Sequence, residues 1–245
     1  MSSAGLDEAL TAFAVRRPLL VASDYDGVLA PLVDDPSAAV PQPGVAEALS
    51  RVAAADGVTV ALVSGRGLDD LRRTSGMSGD FRWIGSHGAE FDGPLAGADA
   101  GRRDELAGVL APLVESTPGA RLEVKPASVA VHVRQVADRA RAAELLEQAR
   151  RAVDPSLTLK PGKDVLEVAV TDAHKGAAVQ RLVEELGVAA ALYLGDDVTD
   201  EDAFRVLGPE DLTVKVGEGE TVARHRVAGP EAVVGLLRAL ADRLG

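Results

Sequence analysis

The 245-residue chain has no cysteine. This excludes disulfides, thiolate metal sites and a cysteine nucleophile, and it suits a reducing compartment. Positive charge is also short, with 26 Lys and Arg against 38 Asp and Glu and a net charge of -12. Polyanions and anionic membrane surfaces are bound through basic patches, so neither nucleic acid nor a membrane is expected as a partner. No apolar run approaches the length of a membrane span, and the opening MSSAGLDEALTAFAVRRPLL lacks a basic stretch followed by a long apolar core. The expectation is a soluble, cytoplasmic protein, with a monomer as the default state. Internal repeats and low-complexity tracts are missing too. What is present, 47% hydrophobic and 26% charged residues, is enough for one large domain or two small ones.

Short apolar runs recur at Leu19–Ser23, Val58–Val63, Trp83–Ile84 leading into Gly85, Ala190–Leu194 and Leu212–Val216. Runs apolar on both faces suit a buried parallel sheet. Between them, Val45, Leu49 and Val52 share one helical face, as do Val179, Leu182, Val183 and Leu186, and a last helix is predicted over Pro230–Leu244. Strands alternating with helices imply a doubly wound, Rossmann-like α/β core. The middle reads differently: helices over Glu105–Glu115 and Asp138–Val153, and strands over Arg121–Lys125, Val129–Arg134, Leu157–Lys160 and Val165–Val170. Val129, Val131 and Val133 alternate with Ala130, His132 and Arg134, the period of a strand with one buried face. We therefore expect a core over residues 1–100 and 171–245, interrupted by a smaller α+β cap domain over 101–170.

Ligands of open α/β sheets bind at the carboxyl ends of the strands, so the residues after each run carry the functional reading. Asp24-Tyr25-Asp26-Gly27 puts two carboxylates beside a glycine that permits a sharp turn; a helix cap or plain turn is the alternative. A calcium loop fits poorly, because its glycine belongs at the sixth position and its glutamate at the twelfth. Val63-Ser64-Gly65-Arg66 offers a hydroxyl and backbone N–H groups to an anion, or is a common Ser-Gly turn. His174-Lys175-Gly176 places a lysine where a helix begins, against the macrodipole, and so asks for an anion nearby unless water solvates it. Gly195-Asp196-Asp197-Val198-Thr199-Asp200-Glu201-Asp202 holds five carboxylates, which cannot all be buried unpaired. Some can cap a helix, and the rest suit a hard divalent cation, magnesium in particular. Together the clusters fit phosphoryl transfer, which depends on positioning and charge neutralisation.

In order, spacing and strand context, Asp24-Tyr25-Asp26-Gly27, Ser64, Lys175 and Gly195-Asp196-Asp197 resemble the four motifs of the haloacid dehalogenase superfamily. Within it, Val-Ser-Gly-Arg, Gly-Ser-His-Gly-Ala-Glu and Gly-Asp-Asp-Val-Thr-Asp-Glu-Asp-Ala-Phe are similar to the trehalose-6-phosphate phosphatases. In the insert, Glu123, Lys125, Ser128, His132 and Arg134 fall on that family's E-x-K-x-x-S-x-x-x-H-x-R pattern, and Pro161-Gly162-Lys163 with Leu166-Glu167 resembles its second cap signature. The chain departs from the family at Val28, where threonine is usual, at Val168-Ala169, where Arg-Pro is common, and at Val133, often aromatic.

The resemblance implies a phosphatase that hydrolyses trehalose 6-phosphate to trehalose and phosphate in trehalose biosynthesis. Asp24 is then the nucleophile that becomes an aspartyl-phosphate, and Asp26 the general acid and base. Ser64 and Lys175 would hold phosphate oxygens. Magnesium would be bound by Asp24, Asp26 through its carbonyl, and Asp196, with Asp197 or Asp200 as a further ligand or support. Gly65, Arg66 and His87 would shape the substrate site, although His87 alone reads as a turn histidine. The cap would close as a lid and offer Glu123, Lys125, Ser128, Arg134, Lys163 and Glu167 to the sugar. Alternatives are another sugar phosphate (a sucrose phosphate, a mannosyl-phosphoglycerate or a hexose phosphate), a mutase using the same two aspartates, or a silent sugar-phosphate-binding module.

Overall fold

The run Leu19–Ser23 forms β1, buried along its whole length. Its neighbours are β2 (Val58–Val63) and β9 (Ala190–Gly195), both parallel to it, with Leu19 beside Val58 on one side and Ala190 on the other. Further strands β3 (Phe81–Gly85), β4 (Glu90–Phe91), β10 (Leu212–Val216) and β11 (His225–Val227) complete a seven-stranded sheet in the order β11-β10-β9-β1-β2-β3-β4. All neighbours are parallel except the short β3–β4 pair. Strand order reverses at β1, so its carboxyl end opens onto the crevice where such sheets bind ligands.

Alternate residues of β1 feed two cores. Leu19 and Val21 pack with α1 (Ser3–Ala14), α2 (Val45–Ala53), α3 (Leu68–Ser75) and α8 (Pro230–Leu244) on one face. Leu20 and Ala22 pack with α6 (Lys175–Leu186) and α7 (Glu201–Val206) on the other. This is the doubly wound core that the apolar runs predict. The computed structural model describes residues 3–245, and among them no helix is long and apolar enough to cross a membrane.

Residues Pro94–Asp172 form a second unit. Its helices α4 (Gly97–Glu115) and α5 (Arg139–Ala152) lie with an antiparallel sheet of β5 (Arg121–Lys125), β6 (Ser128–His132), β7 (Thr158–Gly162) and β8 (Val165–Ala169), in the order β5-β6-β8-β7. Val129, Val131, Leu166 and Val168 bury one sheet face against Leu106, Leu110, Leu145 and Ala149 of the helices. The unit begins at Pro94 rather than residue 101, because α4 starts eight residues before Glu105. Those added residues, GADAGRRD, carry no apolar stripe from which a helix could be read. It ends at Asp172 rather than residue 170. Strand β6 stops at His132, leaving Arg134 in the following turn.

Candidate active site

As β1 ends, the Asp24 backbone N–H donates to the Leu194 carbonyl at 2.9 Å, which fixes Asp24 at the crevice between β1 and β9. Its carboxylate is buried and accepts from the Tyr25 N–H at 2.6 Å and from Lys175 Nζ at 2.5 Å. The chain then turns through Gly27 at φ +74, and the N–H groups of Leu29 and Ala30 fold back onto the Tyr25 carbonyl. Gly27 serves twice. Besides its left-handed backbone, it makes room for Asp196: a β-carbon there would stand 2.0 Å from Asp196 Oδ2.

Lys175 opens α6, with the preceding His174 as cap, its Nδ1 accepting from the Ala177 N–H at 3.3 Å. The anion that a lysine at a helix start asks for is supplied twice over, by Asp24 and by Asp200 at 2.8 Å. Lys175 is 2% exposed. Burial opposes its charge, but the two carboxylates outweigh that and hold it protonated above the usual lysine range. Asp200 is wholly buried, and its two oxygens receive four donors. Oδ1 accepts from Lys175 and from the Tyr193 hydroxyl at 2.8 Å, and Oδ2 from the N–H groups of Asp196 and Asp197, both at 2.9 Å. Tyr193, on β9, is therefore a support of the site that the sequence reading did not include; its only sequence signal is a lone hydroxyl in an otherwise apolar strand.

Carboxylate oxygens of Asp24, Asp196 and Asp200 lie within 4.8 Å of one another. Burial, with the neighbouring Asp200 charge adding to it, pushes Asp24 up to about 7, even though Lys175 pulls the other way. The same causes, burial first and Asp200 next, push Asp196 up to about 6. Three carboxylates meet one ammonium directly, with Lys215 reaching only the backbone of Asp196, so the cluster is short of positive charge. Its oxygen-only donor set fits a hard divalent cation. Asp197 is not part of this group. It is exposed and caps the turn at Val198–Asp200, its Oδ1 accepting from the Val198 N–H at 2.6 Å. Lys215, on β10, donates to the Asp196 carbonyl and pins that loop from the far side.

The Ser64-Gly65-Arg66 segment follows β2. Ser64 is 1% exposed, and its Oγ accepts from the Arg66 N–H at 3.2 Å. His87 donates its backbone N–H to the Ser64 carbonyl at 2.9 Å, and its ring lies where a β-carbon on Gly65 would meet it at 2.6 Å. Glu90, on β4, takes the Leu68 N–H at 3.0 Å and the Ser86 hydroxyl at 2.8 Å. The Asp26 carboxylate is gripped by Arg66 at 2.6 and 2.7 Å.

In the second unit, the polar sheet face carries five of the residues singled out in the sequence. Glu123 and Glu167 flank Ala130 in register. Glu167 accepts from Lys125 and Ser128, each at 2.7 Å, and Glu123 is hydrogen-bonded to His132 at 2.7 Å. Burial would raise both carboxyls, but these partners outweigh it and hold them below the ordinary glutamate range. Arg134 and Lys163 are exposed in turns outside this network.

A doubly wound sheet whose first strand delivers Asp24 and Asp26, with a lysine and two further aspartates converging on Asp24, defines a hydrolase fold of the haloacid dehalogenase class. The profile of the family described as trehalose-phosphatase matches residues 22–231, and the chain belongs to that family. The chain is 34% identical, over 98% of its length, to a bifunctional trehalose-6-phosphate synthase/phosphatase from Thermoproteus tenax, of which it covers 34%. A trehalose-phosphate phosphatase from Mycobacterium marinum is 33% identical over the whole of this chain, which covers 66% of that protein. The chain thus spans between about a third and two thirds of these curated relatives. Among solved structures, a trehalose-6-phosphate phosphatase from Aspergillus fumigatus superposes with a TM-score of 0.73 and 28% identity, covering 97% of both chains.

Proposed function

We propose that this chain hydrolyses trehalose 6-phosphate to trehalose and inorganic phosphate. The observation that carries the reading is the buried Asp24 at the end of β1, held by Lys175 beside Asp196 and Asp200. An Asp24 oxygen attacks phosphorus, and the bond from phosphorus to the sugar oxygen breaks. Asp26, carrying a proton on the oxygen that it frees from Arg66, gives that proton to the sugar oxygen. Asp26 then takes a proton from water, whose oxygen attacks the aspartyl-phosphate, releasing phosphate and regenerating Asp24. Ser64 and Lys175 orient the phosphate oxygens. Retention of Asp26 argues against a silent binding module, since binding alone needs no proton carrier.

Asp24, Asp196 and the Asp26 carbonyl would hold Mg2+, which neutralises charge between the nucleophile and the phosphate dianion when bound. Asp200 serves as support, because its oxygens are committed to four donors. Ligation needs ionised carboxylates, and burial pushes Asp24 up to about 7 and Asp196 up to about 6. Mg2+ affinity should therefore rise as the pH climbs through about 6 to about 7, then level off. Calorimetric titration in buffers of differing ionisation enthalpy should show proton release at about pH 6 and little at about pH 8. Equal proton counts at both would remove these two ligands.

Within the core Gly65 and His87 shape the loop after β2, and in the second unit Glu123, Lys125, Ser128 and Glu167 carry donors and acceptors of the kind that sugar hydroxyls need. The departures at Val133 and Val168-Ala169 lie in the same unit, which makes another sugar phosphate the second reading. Phosphate release from a panel of trehalose, sucrose, glucose and mannosyl-glycerate phosphates decides between them. Trehalose 6-phosphate should give the highest kcat/KM; a clear preference for another member overturns the substrate.

A further inference from the structure

Arg66 is committed to partners within the protein. Four of its five N–H groups are engaged: Nε and Nη2 with the two oxygens of Asp26, Nη1 with Asp70 Oδ2 at 2.9 Å, and Nη2 again with the Pro36 carbonyl at 2.6 Å. The side chain is 8% exposed and lies over the Tyr25 ring at 5.6 Å. Tyr25 in turn donates its hydroxyl to the Ala39 carbonyl at 2.7 Å. The arginine is thus braced on three sides by Asp70, the Pro36–Ala39 turn and an aromatic face, and its fork closes on one carboxylate. Two-point arginine–carboxylate pairs fix orientation as well as charge.

We propose that Arg66 is a positioning residue that acts through Asp26. It holds the Asp26 carboxylate in one rotation at the mouth of the site, and an arriving sugar oxygen takes over one of the two hydrogen bonds. A proton carrier works only within hydrogen-bond reach of the atom it serves, so a carboxylate free to turn would be aligned only part of the time. The inference rests on the reading of Asp26 as acid and base.

A double-mutant cycle tests it: the parent, Arg66→Gln, Asp26→Asn and the double variant, assayed with trehalose 6-phosphate and with p-nitrophenyl phosphate. Arg66→Gln should lower kcat by about 10- to 100-fold with little change in KM, and by less than about twofold when Asp26 is already Asn. An equal loss in both backgrounds, or a raised KM with kcat preserved, overturns the proposal. If circular dichroism shows that Arg66→Gln does not fold, Arg66→Lys takes its place, since lysine keeps the charge and lacks the fork. Should the parent cleave only p-nitrophenyl phosphate, whose leaving group needs no proton, the sugar reading fails, and the cycle then reads the step in which Asp26 takes a proton from water, where the same dependence on Arg66 is expected.

Discussion

Asp24→Asn should abolish phosphate release, with a loss on the order of 10⁴-fold or more, because no other group replaces an attacking oxygen. Rapid acid quench should trap a phosphoenzyme in the parent and none in the variant. Undiminished turnover would remove Asp24 as nucleophile. Stability should move independently of activity. In the folded chain Asp24 titrates near 7, above the ordinary 3.8. A group raised in this way stabilises the fold fully below its unfolded value, and that contribution is lost as pH rises through the folded one. Around neutrality and above, the parent therefore carries a buried trio of two carboxylates and one ammonium, net negative. Asparagine leaves that trio neutral. The metal-free variant should melt no lower than the parent at about pH 8; a clear drop would mean that the hydrogen bonds of Asp24 outweigh its charge.

Lys175→Met pushes the same trio the other way. Asp24 and Asp200 would then face each other in the interior without a cation, and removing one partner of a buried ion pair costs roughly 3–5 kcal/mol. Asp24 would bind its proton more tightly still, so the destabilisation should shrink at about pH 5, where a neutral Asp24 leaves one charge instead of two. Urea denaturation of metal-free protein at about pH 5 and about pH 8 measures this. An equal loss at both pH values would show that packing around the lysine stem, not charge, supplies its stabilisation. Turnover should fall by at least about 10²- to 10³-fold, the loss usual for one oxyanion-binding donor.

Much of this arrangement is legible in the sequence, for identifiable reasons. Strands β1, β2 and β10 and helix α8 coincide with the apolar runs and helical spacing, because each is buried enough to impose an unbroken pattern. Strands β4 and β11 escape notice, since two or three residues are too few to show a period. Helix α3 has a mean composition too polar to stand out, and only Leu68 and Leu71 mark its buried side. The end-of-strand rule singles out Asp24 and Asp196, and the lysine at a helix start singles out Lys175, which the structure brings together. The rule cannot separate the duties of Asp196, Asp197 and Asp200, which depend on the turn they share. Nor does it reveal that Asp26 closes on Arg66, forty residues away, or that Tyr193 reaches Asp200. Those contacts are set by sheet register, which places β2 and β9 on either side of β1.

Glu90 gives that register a consequence for the start of a helix. Helix α3 begins at Leu68 after a glycine that offers no side-chain cap, and the acceptor for its first N–H is the Glu90 carboxylate, from a strand twenty-two residues onward. One of the orphan donors at the start of α3 is therefore satisfied by the short strand that pairs antiparallel with β3. A helix that looks local in sequence is thereby tied at its first turn to a residue of the sheet edge. The Ser64–Arg66 segment just before α3 is held from the same side, the Arg66 carbonyl accepting from the Ser86 N–H at 2.7 Å and the Ser64 carbonyl from the His87 N–H at 2.9 Å.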